Sequence, residues 1–187
     1  VLRGADAVLH LAARVHVLRE SARDPLAAFR AVNVEGTRRL AEAAAAAGVP
    51  RMVLVSSIKA AVAGDPYGQS KLEAEQAIRE VGERDRMQWV VVRPPLVHGP
   101  GVGGNLRRLM GLIRRGVPLP FGGVQNRRSL VGVENLAALL LQCATAPQAA
   151  GRTLLVADQP AVSTPELIRM IAASMGRPAR LWSVPTG

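Results

Sequence analysis

Two short, uninterrupted apolar runs constrain this chain more than any other feature: Met52-Val53-Leu54-Val55 and Trp89-Val90-Val91-Val92. Neither alternates with polar residues and both are rich in β-branched side chains, which marks strands buried on both faces. Between them, 66–82 carries a helical pattern. Ahead of them, 24–48 reads as one long helix, because Ala28, Phe29, Val32, Val34, Leu40, Ala43 and Ala47 recur at a helical period. Gly48 followed by Pro50 is its stop signal. A further strand-like stretch covers 5–11, and Arg93-Pro94-Pro95 halts the Trp89 run. Strand, helix, strand, helix, strand at this spacing predicts an α/β fold, a doubly wound parallel sheet with covering helices.

The character changes after Gly99-Pro100-Gly101. A basic helix is expected over 105–115, then a Pro- and Gly-rich segment over 117–123. Beyond it come an apolar helix over 134–144, a strand over 153–156, and a helix capped by Ser163 or Thr164 with Pro165 at its first position. Residues 1–98 are therefore assigned to the sheet domain and 99–187 mainly to a smaller mixed α/β lobe. The helix at 133–145 is expected to pack back on the sheet. A length of 187 residues suits one domain plus a small lobe.

The formal net charge of +10 raises the question of an anionic partner. Lys59 and Lys71 are the only lysines, the arginines are scattered along the chain, and aromatics make up only 3%, too few for base-stacking platforms. No nucleic-acid partner is expected, only a modest attraction for anionic substrates such as a diphosphate. No apolar run approaches the roughly 20 residues that span a bilayer, and no charged-then-apolar leader opens the chain. Neither a membrane partner nor a metal site is expected, and the cytoplasm is the expected compartment. The single cysteine, Cys143, lies in an apolar run and reads as a small buried hydrophobe.

Chemistry concentrates in Tyr67-Gly68-Gln69-Ser70-Lys71. Positions i and i+4 share a helix face, so the Lys71 ammonium is expected beside the Tyr67 phenol. A nearby positive charge favours phenolate, which makes tyrosine a usable general base near neutral pH. Ser56-Ser57 closes the run 52–55, at the strand end where open α/β sheets place their ligands. A hydroxyl there can hold a substrate alcohol and share its proton with Tyr67.

Five segments occur in a familiar order: His10-Leu11-Ala12-Ala13, Asn33-Val34-Glu35-Gly36-Thr37, Val55-Ser56-Ser57, Tyr67 to Lys71, and Arg93-Pro94-Pro95-Leu96-Val97-His98-Gly99-Pro100. Together they resemble the NAD-dependent epimerase/dehydratase family, the extended short-chain dehydrogenases that act on nucleotide sugars. Ser57-Ile58-Lys59 is most similar to a bacterial surface-polysaccharide branch with UDP-N-acetylhexosamine 4-epimerases and 4-keto reductases. The resemblance implies Tyr67 as catalytic base, Lys71 as the residue binding the nicotinamide ribose, and Ser57 as the holder of the sugar oxygen. It implies that Leu11, Ala12 and Ala13 line NAD or NADP, and that the backbone of Pro94 to Leu96 meets the nicotinamide carboxamide. Asn105 and Arg128 match positions that contact the nucleotide diphosphate, Asn33 would brace the central helix against the sheet, and His98 would pack. A UDP-linked sugar is the implied substrate and a homodimer the implied assembly.

Three departures shape the expected function. The Gly-rich dinucleotide turn is absent and the chain starts where the family's fourth strand would be, so some sixty N-terminal residues are expected to be missing. Ser57 and Tyr67 stand closer than is usual in the family, which suggests a splice across an unseen loop at 60–63. Dehydratases place an acidic pair where this chain has Ile58 and Lys59, which disfavours dehydration. The expected activity is NAD(P)-dependent 4-epimerisation of a UDP-hexose or UDP-N-acetylhexosamine. A nucleotide-sugar 4-keto reductase is the alternative, since Leu96 replaces an Asn common in epimerases. A non-catalytic NAD-binding scaffold or sensor is the reading from another class.

Overall fold

The computed structural model describes residues 2–15, 22–158 and 160–184. In chain order the elements are β1 (Val8–His10), α1 (Pro25–Asn33), α2 (Glu35–Ala46), β2 (Arg51–Val55), α3 (Pro66–Asp85), β3 (Gln88–Arg93), β4 (Leu96–His98), α4 (Gly104–Arg114), β5 (Leu130–Gly132), α5 (Val133–Thr145), β6 (Arg152–Leu155) and α6 (Thr164–Ser174). The residues fall into two compact units, 1–95 with 134–156 and 96–133 with 157–187.

In the first unit four parallel strands run in the order β1-β2-β3-β6. Val8 pairs with Met52, Met52 with Trp89 and Val90 with Arg152, so the strand ends step along one edge of the sheet. Met52, Leu54 and Val91 turn to one face, against Ala41 and Ala44 of α2 and Ala74, Ile78 and Val81 of α3. By strand alternation Arg51 and Val53 turn to the other. There Arg51 Nη1 donates to Cys143 O at 3.1 Å, in α5, and to Ala146 O at 2.8 Å, just beyond it. Helices thus cover both faces, and Met52 to Leu54 and Val90 to Val92 are buried, with Val55 and Trp89 half-buried at the ends of the runs. The Cys143 side chain is buried.

The expected single helix over 24–48 is two helices. Thr37 Oγ1 donates to Asn33 O at 2.6 Å, taking the carbonyl that the backbone amide of residue 37 would need, and the helix breaks at Val34. The α3–β3 turn is tight enough to demand glycine: a Cβ on Gly82 would lie 2.7 Å from both Met87 O and Trp89 Cδ1.

In the second unit β4 and β5 form a two-stranded parallel sheet that periodicity did not reveal, three residues being too short to carry a pattern. Ile113 of α4 and Leu119 pack with Ile168 and Ala172 of α6. Ser163 caps α6 in a reciprocal capping box with Glu166.

Candidate active site

The ends of β1, β2 and β3 bring Leu11 to Ala13, Ser56-Ser57 and Pro94 to one edge of the sheet in the first unit. Leu11 and Ala12 are exposed, Ala13 is half-buried and Pro94 buried. Ser57 caps the short 3-10 helix Ile58–Ala61, its hydroxyl accepting from Lys59 N at 3.2 Å. The chain then runs continuously through a left-handed Ala63 (φ 50) to Asp65, which caps α3 by accepting from Gly68 N at 2.7 Å. A 3-10 turn and a short connection thus fill the interval at 60–63. The 3-10 turn and the cap together reverse the chain in a short distance.

Tyr67, in the first turn of α3, is half-buried and packs on Phe29 of α1 with ring centroids 5.9 Å apart. Burial holds its phenol above the ordinary value, against the lowering expected of a general base, with Ser57 and the charge of Lys59 opposing and Asp65 adding to the rise. The cation beside the ring is Lys59, whose Nζ lies 5.8 Å from the centroid and forms an ion pair with Asp65 at 2.5 Å. Lys71 was expected to lower the phenol. Its ammonium instead donates to Val55 O at 2.8 Å, and burial brings it down to about 8, with Glu75 opposing the change. It is only 2% exposed. A lysine one turn past a tyrosine shares its face, but the long side chain swings to the free carbonyl at the end of β2.

Asn33, expected to brace the central helix, is buried at the end of α1. Its amide accepts from Arg14 N at 2.7 Å and donates to Ser70 Oγ at 2.9 Å, tying α1 to the loop after β1 and to α3. Ser70 Oγ in turn donates to Tyr67 O at 2.8 Å. His10 Nε2 meets Thr37 Oγ1 at 3.0 Å, and burial together with the Lys71 charge pushes the imidazole down, toward the neutral form. Sequence reasoning missed a trio beneath this edge, the buried Ser56 and Glu75 with the half-buried Arg93. The available signal was the carboxylate four residues after Lys71 on one helix face.

The remaining sequence candidates belong to the second unit. Leu96 opens β4 and is 40% exposed. Asn105 is exposed in the first turn of α4. Arg128 is exposed and exchanges backbone hydrogen bonds with Val162, both at 2.8 Å. His98 Nε2 lies 3.8 Å from Asp158 Oδ2, a polar neighbour rather than the packing role expected of it.

A parallel α/β sheet with serine, tyrosine and lysine gathered at its strand ends defines a short-chain dehydrogenase type of site. The chain belongs to the NAD dependent epimerase/dehydratase family, whose model matches residues 1–157. It is 39% identical over 201 residues to the UDP-glucose 4-epimerase of Vibrio cholerae, covering 98% of this chain and 61% of that protein. A ceramide reductase of Caulobacter vibrioides is 33% identical over 184 residues, covering 98% of this chain and 54% of its own length. Among solved structures, MoeE5 in complex with UDP-glucose and NAD superposes with a TM-score of 0.78 at 27% identity, over 99% of this chain and 67% of that one. The chain thus spans about half to three fifths of the length of these curated relatives.

Proposed function

We propose that the protein is an NAD(P)-dependent oxidoreductase of nucleotide sugars and that it interconverts 4-epimers of a UDP-hexose or UDP-N-acetylhexosamine. The observation that carries this reading is the placing of Ser57 beside the Tyr67 phenol at the strand-end edge of the sheet, with the Lys71 ammonium nearly fully buried on the Val55 carbonyl of the same edge. The likeness to a UDP-glucose 4-epimerase supports the substrate class.

The residues fit a dinucleotide. The Lys71 ammonium has three donors and gives one to Val55 O, which leaves N–H groups for ribose hydroxyls. Ala12 and Ala13 carry small side chains beyond β1, so a diphosphate can approach the backbone closely. Pro94 and Leu96 would border the nicotinamide. The oxidised cofactor, when bound, supplies the hydride acceptor and a positive charge that favours phenolate.

Ser57 holds the sugar 4-oxygen and keeps it in line with the phenol. Tyr67 takes the 4-hydroxyl proton as the C4 hydride leaves, and returns it when hydride is delivered to the opposite face of the 4-keto sugar. Lys71 fixes the ribose and contributes charge. Asn105 and Arg128 would take the substrate diphosphate, the planar guanidinium suiting phosphate oxygens. Action in the cytoplasm and assembly as a homodimer belong to the same proposal.

Leu96 favours one second reading, a 4-keto reductase performing only the delivery half of the cycle, because an apolar side chain there cannot hold a sugar hydroxyl. Incubating the protein with UDP-glucose, UDP-galactose and their N-acetylated counterparts, with NAD, separates the two. Epimer interconversion without net cofactor reduction supports the epimerase. NAD(P)H oxidation seen only with an added 4-keto sugar supports the reductase, and neither reaction in a folded protein removes both.

A further inference from the structure

Glu75 lies one helical turn beyond Lys71 on α3 and is 0% exposed, where an unpaired carboxylate would be prohibitively costly. It is held from both neighbouring strands. Ser56 Oγ donates to Oε1 at 2.6 Å from the end of β2. Arg93 donates from the end of β3 in a two-pronged contact, Nε to Oε1 at 2.8 Å and Nη2 to Oε2 at 2.7 Å. Arg79, on the same helix, adds a longer contact at 3.4 Å. The residues directly after Ser56 and Arg93 are Ser57 and Pro94, so one carboxylate spans the three segments that build the site. A buried ion pair is often no more stabilising than apolar residues of the same size, but it does fix geometry.

We infer that Glu75 is a positioning residue for the Tyr67–Lys71 pair: through Ser56 and Arg93 it sets the ends of β2 and β3 against α3, and with them the Val55 carbonyl on which the Lys71 ammonium is seated. The inference rests on the reading of Tyr67 and Lys71 as the reacting groups. The charged and titratable groups that face Lys71 are Glu75 on its own helix and His10 from β1, while Lys59 and Asp65 are the charges beside the Tyr67 phenol. Of these, Glu75 supplies the negative charge that opposes the effect of burial on Lys71.

The pair of lysines in this sequence makes a direct test available. With lysine labelled at 13Cε, Lys59→Arg leaves a signal that reports Lys71 alone, and its titration needs no turnover. The parent midpoint is expected near 8. In Glu75→Gln it should lie clearly lower, and the alkaline limb of the kcat/KM profile should move to lower pH with it. Should the single variant lose its cooperative thermal transition, the double variant Glu75→Gln with Arg93→Gln, compared with Arg93→Gln alone, carries the same test, because the loss of the guanidinium is common to both. An unchanged Lys71 midpoint in a folded variant overturns the proposal, as does failure of both variants to fold, which would make Glu75 a residue of the fold alone. A shifted midpoint in a protein that turns over no nucleotide sugar would uphold the positioning role and refute the proposed function instead.

Discussion

Gly68 and Lys59 approach so closely that a Cβ on the glycine would stand 2.7 Å from the Lys59 carbonyl oxygen. This contact presses the 3-10 turn after Ser57 onto the first turn of α3, and it sets how near Ser57 comes to Tyr67. Gly68→Ala must push the two apart. The overpacked variant should lose about 1–3 kcal/mol, read as a lower midpoint in chemical denaturation. An unchanged midpoint would show that the turn yields freely.

Tyr67→Phe removes the proton-transfer group and leaves the ring contact with Phe29. Turnover of the nucleotide sugar should fall roughly 10²-fold or more, while the affinity for NAD(H) followed by fluorescence stays near that of the parent. Near-normal turnover would remove Tyr67 as the base.

Arg128→Ala should raise KM for the nucleotide sugar far more than it lowers kcat, the signature of lost ground-state binding. Its backbone exchange with Val162 survives the substitution, so the fold gives no reason for a change in thermal stability. An unaltered KM would make Arg128 a surface arginine.

Arg51 joins β2 to the far side of the sheet through Cys143 O and Ala146 O, and to β3 through Gln88. Arg51→Met keeps the stem but strands partly buried carbonyls near the end of α5. A loss of about 1–3 kcal/mol is expected from unsatisfied acceptors. Retention of parental stability would mean that water reaches them.

Acid should weaken the protein in part through Asp65. A hydrogen bond from Lys59 and another from Gly68 N hold its carboxyl below the usual range. Its stabilising effect is therefore complete above the ordinary carboxylate value and fades as pH falls through the lowered one, roughly below pH 4. Asp65→Asn should make the thermal midpoint less sensitive to pH in that window. A variant as acid-sensitive as the parent would assign the loss to other carboxylates.

The strands that set the fold were legible because their physics is local. Met52 to Leu54 and Val90 to Val92 are buried on both faces, and continuous apolar runs say so without reference to the rest of the chain. The break at Val34 was not legible, since it depends on one hydroxyl choosing a carbonyl that a helix would otherwise use. Tyr67 and Lys71 could be placed on one face by spacing, but not the destination of the ammonium, because Val55 O is supplied by another element. The clamp around Glu75 was hidden for the same reason: Ser56 and Arg93 meet it only once β2 and β3 are paired.

The first unit is closed by residues 134–156, which return to it after 96–133 have been spent elsewhere. β6 pairs with β3 in register Val90 to Arg152, a partnership across more than half a hundred residues of chain. On the ribosome, β1 to β3 must wait for their neighbour through several seconds of synthesis, at the roughly 5–20 residues per second of translation. During that wait the β3 edge, with Val90 to Val92, is open to strands of other nascent chains. Expression slow enough to thin such encounters, or a chaperone that shields the edge, should therefore raise the yield of folded protein more than any change to its surface.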